Sequence, residues 1–530
     1  AGISLAWGPS TSHMTVGGSG TIVGSNIRHN SVNVGASVPG GPGRRVFLST
    51  GVLTTLVMIF KHGHRDRLEG RIPLVAECMH VAAEALTTNK ASTLQRKLTM
   101  KLSQRIGLQY MPPRLVKWRY QRGQRSLLDN LSRAGVKAAT EAKLAEKEDG
   151  EEEEQEEEDD DDEDSDDDVP EEMEEVIEQL LIGLRDKDTV VRWSAAKGIG
   201  RITGRLPRDF ADDVVGEVLN LFSDGEGDGA WHGGCLALAE LARRGLLVPE
   251  RLPEVVPVVL KALVYDVRRG RHSVGSHVRD AACYVCWAFA RAYAPDVLRP
   301  HVLDLSRGML ITALFDREVN CRRAASAAFQ ENVGRQGHEN FVHGIEIITK
   351  ADYFALGNRQ HAYMDLGPFI AGYDEYRRSL VDHLASAKLM HWDVGMRALT
   401  AATLAKIAPL DPTYFAEKIL PDAMKRCLNR SDLLIRHGNT ILVAELILVL
   451  SKIATITLSP DVMKTIRNLV PKIEKARLYR GRGGEIMRAA ACRLLECMAL
   501  AKHELSRRAQ LRMVETIDEC LKHPNIEISD

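Results

Sequence analysis

The feature that constrains this fold most is a short pattern that recurs from about residue 190 onward. Each copy places an arginine, or once a tryptophan, before a segment rich in small and apolar residues, and successive copies lie 37 to 52 residues apart. The marker positions are Arg192, Trp231, Arg279, Arg322, Arg359, Arg397, Arg436 and Arg488. A period near 40 residues is typical of arrays built from paired helices. The pattern therefore predicts one helical repeat array rather than several unrelated domains.

Within the first clear copy, apolar residues follow helical spacing on both sides of a polar turn. Positions 176, 177, 180, 181 and 184 form one apolar stripe, and Asp186-Lys187-Asp188 interrupts it. A second apolar segment starts at Val191 and ends near Gly204. Aromatic residues are only 5% of the chain, which suits thin layers of packed helices. We predict an all-α solenoid of HEAT or armadillo type.

The composition divides the chain into four predicted segments. Residues 1–46 contain no Asp, Glu or Lys and are expected to be a disordered or non-homologous leader, although a Ser-rich, acid-poor stretch is also seen in transit peptides. Helical repeats are predicted over 47–147. An acidic flexible linker follows over 148–175, and the HEAT-type solenoid is predicted over 176–530.

The net charge of −2 hides a strong separation of charge. Residues 148–172 hold 20 acidic and no basic residues, so the rest of the chain carries a formal charge of +18. A block of like charges repels itself and cannot bury apolar surface. It is either a solubilising spacer or a competitor for an acidic ligand of the basic remainder.

The recurring arginines have two interpretations. Each could bond the acidic turn of its own or the adjacent repeat, for example Asp186 or Asp316, and so tie the array together. Alternatively, the arginines could form a ridge whose positive field attracts an acidic partner. Spacing alone leaves both open.

Motifs for covalent chemistry are absent from the sequence. No GxxxxGK[ST] phosphate loop and no HExxH helix occurs, so we expect no intrinsic nucleotide hydrolysis, no cofactor and no metal. Cys283 and Cys286 form a CxxC pair inside an apolar helical run, where burial is the expected role. The stretch Lys117–Arg122 mixes cations with aromatics, which can bind RNA, but packing of a surface helix is the simpler explanation and nucleic acid is not an expected partner.

The cellular setting follows from cysteines and hydropathy. Nine scattered cysteines show no disulfide framework, which indicates a reducing compartment. The longest apolar stretch, 48–60, is shorter than the ~20 residues of a membrane span. We expect a cytoplasmic protein without a membrane span.

Several segments resemble one family closely. They are 186–201, 230–241, 278–293, 315–317, 320–336 and 478–484, and they are similar to the tubulin-folding cofactor D family, also called tubulin-specific chaperone D. The resemblance extends from about residue 47 to near the C-terminus and covers part of the family's length. It implies a chaperone that is not an enzyme, binds β-tubulin, and joins it to α-tubulin carried by cofactor E. With cofactor C it would stimulate GTP hydrolysis by tubulin.

The resemblance also implies binding of an Arf-like small GTPase and a possible association with microtubules or centrosomes. Two other function classes stay open: a karyopherin-like transport receptor, and an acidic histone or nucleic-acid chaperone. Partner contacts are predicted at or beside the repeat starts, namely Arg192, Trp193, Lys197, Trp231, His232, Arg279, Asp280, Arg322, Arg323, Glu331, Asn332 and Arg335.

Overall fold

The fold was analysed in a computed structural model of the chain. The structure describes residues 42–74, 91–111, 113, 116–122, 169–270, 272–337, 339–478 and 484–522. The predicted leader, except for 42–46, and most of the predicted acidic linker lie outside the described residues. Within the described ranges the all-α prediction is confirmed, since two three-residue strands are the only β-structure.

Twenty-four α-helices are present in the described residues. They are α1 Pro42–His62, α2 Arg65–Leu68, α3 Thr93–Tyr110, α4 Glu172–Leu184, α5 Thr189–Ile202, α6 Arg208–Asn220, α7 Asp228–Arg243, α8 Leu252–Leu263, α9 Ser276–Ala292, α10 Pro295–Leu298, α11 Val302–Phe315, α12 Val319–Gln336, α13 Gly344–Lys350, α14 Arg359–His361, α15 Gly367–Ile370, α16 Asp374–Ser386, α17 Val394–Ile407, α18 Pro412–Tyr414, α19 Leu420–Arg426, α20 Leu433–Leu450, α21 Pro460–Arg467, α22 Leu469–Lys475, α23 Gly484–Leu500 and α24 Arg507–Leu521.

Shorter turns extend or join these helices. The 3₁₀ turns are Glu69–Arg71, Thr203–Arg205, Pro249–Arg251, Arg299–His301, Ala355–Gly357, Lys388–Met390 and Ala408–Leu410, and π turns occur at Ala362–Leu366 and Phe415–Ile419. The strands β1 Val267–Arg269 and β2 His272–Val274 form an antiparallel hairpin with Val267 opposite Val274.

The helices form two rows, as paired-helix repeats require. The second helices α1, α3, α5, α7, α9 and α12 pack side by side in chain order, and α17, α20 and α23 continue the row. The first helices α4, α6, α8 and α11 lie behind them, each against the second helix of its own repeat. Apolar side chains from both rows meet in one continuous core.

Regularity is lost between α12 and α16. The first helix there, α13, is short and packs on α12, and the next second helix is replaced by α14, a π turn and α15. First helices α11 and α16 therefore pack directly against each other. Tyr363 stabilises the irregular turn by donating its buried hydroxyl to the carbonyl of Phe315 at 2.9 Å.

The basic, aromatic segment 116–122 is not a helix. It runs as an extended strap past the C-terminal ends of several second helices. Trp118 donates to Leu206 O at 3.2 Å, the Tyr120 amide donates to Gly245 O, and Arg122 donates to Ala290 O and Arg335 O. The expectation of a packed surface helix is wrong, because the Trp118 and Arg122 side chains and the Tyr120 backbone amide donate to carbonyls at and just past helix ends, which lack partners within the helices.

Helix boundaries differ somewhat from the predicted segment limits. Helix α1 begins at Pro42, before the limit predicted at 46, and α4 begins at Glu172, before the limit predicted at 175. Helix α20, in the described part of the chain, is the one helix long and apolar enough to cross a membrane, but 61% of it is buried in the array. It serves as a core helix here.

Two glycines allow the helix rows to pack closely, and the effect of replacing them on stability is the first prediction. A Cβ added at Gly233 would overlap the carbonyl of Leu184, and one added at Gly438 would overlap that of Leu389. We expect Gly233→Ala and Gly438→Ala each to destabilise the fold by about 1–3 kcal/mol, measured by urea unfolding.

The matched control is Gly216→Ala in α6, where an added Cβ meets open space. This change is expected to be neutral or to stabilise the helix by up to ~1 kcal/mol. Equal effects at all three glycines would contradict the close-packing explanation.

Candidate partner-binding surface

The recurring arginines lie inside the array. Arg192 is 3% exposed, donates from Nε to His232 Nδ1 at 2.8 Å, and donates from Nη1 to Asp186 O at 2.6 Å. Arg397 is fully buried and repeats the arrangement with His437 Nδ1 at 2.9 Å and His391 O at 2.6 Å. In both cases an arginine at the start of one second helix bonds a histidine on the next.

Arg279 and Arg322 make equivalent links with other acceptors. Arg279 forms an ion pair with the buried carboxylate of Asp316 and donates to Tyr265 O at 2.7 Å. Arg322 donates to Leu356 O at 2.8 Å and to Gly357 O at 3.0 Å. These links support the interpretation in which the arginines tie repeats together, and their burial does not fit a ridge that faces a partner.

The histidine partners are held in the neutral form. Burial, followed by the neighbouring Arg397, lowers the pKa of His437 to about 3. Burial also lowers the pKa of His232 well below its usual value, with Arg192 and His277 adding to the effect. Because a neutral ring accepts at Nδ1 only when that nitrogen carries no proton, the arginine link fixes the tautomer.

The other predicted partner residues divide into buried and accessible groups. Trp231 is 8% exposed and packs on Phe222 and Tyr265, and Asn332 is buried with its amide donating to Cys286 O at 3.1 Å. Asp280 is half-buried, and burial and then Asp316 raise its pKa to about 6. The residues that reach solvent are Trp193, Lys197, Arg323, Glu331 and Arg335.

Two of these accessible residues belong to a larger cluster on the second-helix row. We call it the aromatic–arginine surface, formed by Trp193, Lys197, Arg243, Trp287 and Arg291 around the buried ring of Tyr284. The ring centroids of Trp193 and Tyr284 lie 5.5 Å apart across α7. Tyr284 stacks on Trp287 with a centroid distance of 5.7 Å. The cluster thus spans α5, α7 and α9.

Cations cover the rings of this surface. Lys197 lies 5.5 Å from the Trp193 ring, and the guanidinium of Arg291 lies 4.6 Å from the Trp287 ring. Arg243 donates to the Tyr284 hydroxyl at 2.8 Å and lies 5.9 Å from Trp287. Such stacking keeps long cationic side chains in place before any partner arrives.

A buried carboxylate anchors the centre of the surface. The side chain of Glu240 is 2% exposed and accepts from Arg243 and Arg244. Farther along the row, Arg291 and Arg335 both pair with Glu331. Arg323 lies apart from this cluster, 4.3 Å from the ring of Tyr353.

Sequence reasoning missed Arg243, Tyr284, Trp287 and Arg291. The signal was present as the spacing of residues 284, 287 and 291, which places three large side chains on one helix face. The sequence analysis predicts burial for the two cysteines of this run and gives no separate role to these three residues. In the structure the cysteines face inward and Trp287 faces the surface.

The described residues offer a surface suited to binding. No group of three or more His, Cys, Asp or Glu side chains in the described ranges is arranged to hold a metal ion. Two cavities, one between α21, α22 and α24 and one between α16, α19 and α20, have mixed polar and apolar linings, whereas one along α1 is lined mainly by apolar side chains such as Phe47 and Leu48. A broad surface with fixed aromatic and guanidinium groups fits a macromolecular partner.

Comparison with known proteins identifies the repeat family. A family model described as "Tubulin-specific chaperone D-like, ARM repeats" matches residues 94–345. Residues 94–345 are therefore similar to this armadillo-repeat family. The resemblance found in the sequence and the helical-repeat fold class are thereby confirmed.

Two curated relatives carry corresponding names. The chain is 39% identical to tubulin-specific chaperone D of Dictyostelium discoideum over 468 residues, which is 86% of this chain and 31% of the relative. It is 32% identical to tubulin-folding cofactor D of Schizosaccharomyces pombe over 250 residues, 44% of this chain and 22% of the relative. The chain thus spans less than a third of either relative.

Solved structures include karyopherins with weak likeness. Kap121p bound to Ste12p has a TM-score of 0.29 and 12% identity, covering 91% of this chain and 52% of that one. Kap95p, described with RanGDP, has a TM-score of 0.32 and 11% identity, covering 90% of this chain and 65% of that one. Likeness at this level carries no functional argument.

The buried arginines give the second prediction. Arg192→Met leaves His232 and the carbonyl of Asp186 without their donor, so we expect a loss of about 2–4 kcal/mol in stability. Arg335→Met, at an exposed position that pairs only at the surface, is the control and is expected to cost less than about 1 kcal/mol. Chemical denaturation measures both, and similar losses would contradict the role of Arg192 as an inter-repeat link.

The CxxC pair gives the third prediction. Both thiols are buried, and burial raises the pKa of Cys286 to about 12 and that of Cys283 well above its usual value. Alkylation by iodoacetamide should therefore be slow in the native protein and rapid in denaturant, as mass spectrometry of the labelled peptides would show. Rapid native labelling of both cysteines would indicate a redox or ligand role instead.

Proposed function

We propose that this chain acts in tubulin folding as a scaffold without catalysis of its own, and that its aromatic–arginine surface binds β-tubulin. The observation that carries the proposal is the coincidence of two features. The surface lies on α5, α7 and α9, and all three helices fall within the residues that match the tubulin-specific chaperone D-like family. The names of the two relatives indicate the folding client.

The composition of the surface supports a role in protein binding. Trp, Tyr and Arg are the residues most enriched among those that dominate binding energy at interfaces. Here they stand on rigid helices rather than loops, and Glu240 and ring stacking fix the arginines in advance. Preorganisation of this kind lowers the entropy cost of binding.

Charge favours an acidic client. The chain outside 148–172 has a formal charge of +18, and basic side chains stand in the last turns of the neighbouring second helices α5, α7 and α9. Complementary charge increases the association rate of protein pairs more than it increases their final affinity. Tubulin, as the proposed client, would approach this face of the array.

The wider pathway is part of the same proposal. Cofactor E would deliver α-tubulin, cofactor C would join the assembly, and the GTP hydrolysed would be bound to tubulin. An Arf-like small GTPase would bind elsewhere on the array. The proposed location is the cytoplasm, at microtubules or centrosomes when associated with them.

The fourth prediction tests the surface. Trp287→Ala with Arg291→Ala removes a stacked pair from the centre of the surface, and we expect at least a tenfold loss in affinity for β-tubulin, or about 1.4 kcal/mol. Biolayer interferometry with immobilised chain measures the affinity. Arg291→Glu alone, at an exposed position, should slow association, and the defect should decrease as salt is raised.

The control removes equivalent groups from another surface. Phe354 is 81% exposed and Arg299 is also exposed, so Phe354→Ala with Arg299→Ala deletes one aromatic and one guanidinium elsewhere. Binding by this variant should stay within about twofold of wild type. If both double variants bind β-tubulin normally while their melting temperatures are unchanged, the proposed surface is the wrong one.

A further inference from the structure

A second surface on the same helix row carries cations without acidic partners. It is formed by Lys97, Lys101 and Arg105 on α3 and by Lys197 and Arg201 on α5, shares Lys197 with the aromatic–arginine surface, and is called the basic double row. Among the described residues, none of these five side chains makes an ion pair. Lys197 and Arg201 are exposed, and the three on α3 are half-exposed.

The two lines of cations run side by side in register. Helices α3 and α5 pack against each other, and the charges repeat at every fourth residue on each helix. Burial lowers the pKa of Lys101, and Lys97, Arg105 and Lys197 lower it further by like-charge repulsion. Burial and then Arg201 lower that of Arg105. Across the two helices, Lys197 is therefore the neighbour of Lys101, and Arg201 is the neighbour of Arg105.

The spacing suits one particular shape of ligand. Four residues of α-helix advance by about 6 Å, and two residues of an extended polypeptide advance by about 6.6–6.8 Å. Packed helices lie about 8–10 Å apart. An extended peptide lying along the groove between α3 and α5 would direct alternate side chains to each line of cations.

We propose that the basic double row binds an extended peptide segment rich in Asp and Glu, contributed by a partner protein. Acidic side chains would relieve the repulsion among Lys101, Arg105 and their neighbours, which the fold itself leaves uncompensated. Nucleic acid fits less well, because Tyr110, the aromatic residue at the end of α3, packs against the core and the Trp193 ring is covered by Lys197, so neither ring is free to stack a base. The proposal does not depend on tubulin being the client.

The test uses a fluorescein-labelled peptide of about twelve glutamates, which in extended form would exceed the length of the row. Fluorescence anisotropy at low and at physiological salt measures binding to the full chain. Binding should be saturable and should weaken as salt screens the charges. The same measurement on the chain lacking 148–168 should give equal or tighter binding, since that deletion removes the chain's own competing polyanion.

Two triple variants with the same change of charge are compared. Lys101→Gln, Lys197→Gln and Arg201→Gln neutralise the double row, and should weaken binding at least tenfold. Lys261→Gln, Lys452→Gln and Lys475→Gln neutralise exposed lysines on other faces and should change it by less than about twofold. If the first triple variant melts early, Lys197→Glu with Arg201→Glu, both at exposed positions, tests the same row.

Three results would overturn the proposal. One is absence of peptide binding in both the full chain and the deletion variant. Another is an equal loss in the two triple variants, which would mean attraction to net charge alone. The third is displacement of the peptide by a single-stranded RNA of equal charge at lower concentration than by unlabelled peptide, which would assign the row to nucleic acid.

Discussion

The array depends on buried arginines near the starts of several second helices. In Arg192, Arg279, Arg322 and Arg397 the guanidinium is buried and donates into the following repeat, to a histidine, a carboxylate or backbone carbonyls. A buried cation is costly unless its donors are satisfied, so each link strongly favours one relative placement of two repeats. Close contacts such as those at Gly233 and Gly438 follow from this placement, because the glycine comes directly after the histidine that accepts from the preceding arginine.

The sequence was sufficient to predict the repeat class, because a position that supplies such a link in several repeats recurs with the period of the array. It was insufficient to predict where the arginine side chains point. Asp186 and Asp188 made an acidic-turn partner plausible for Arg192, yet the ring that accepts from it belongs to His232, forty residues later. A helical period identifies faces, but which face meets the next repeat depends on packing that involves residues far apart in sequence.

The same limit applies to the candidate surface and to the strap. Tyr284, Trp287 and Arg291 share a helix with two buried cysteines, and only the packing of α9 between α7 and α12 separates the inward from the outward residues. The strap at 116–122 has the composition of an RNA-binding or helical segment, whereas its conformation is set by carbonyls of helices more than 80 residues away. Local composition contains no information about such distant acceptors.

Helix electrostatics explains why cations collect on one side of the array. Acidic residues of the turns, such as Asp186, Asp188 and Asp316, lie at the N-terminal ends of the second helices, where the helix dipole favours negative charge. Asp186 and Asp188 pair with Arg96, and Asp316 pairs with Arg279. Basic residues occupy the last turns of four successive second helices, namely Arg201, Arg243, Arg291 and Arg335, and the strap adds Arg122 beside them. Each helix is stabilised separately by this arrangement. Because the second helices are stacked in register, their basic last turns lie side by side and form one positively charged face. The acidic residues of the turns are already paired with buried arginines and do not neutralise this face. The positively charged surface proposed to bind an acidic partner is thus a consequence of how the individual helices are stabilised.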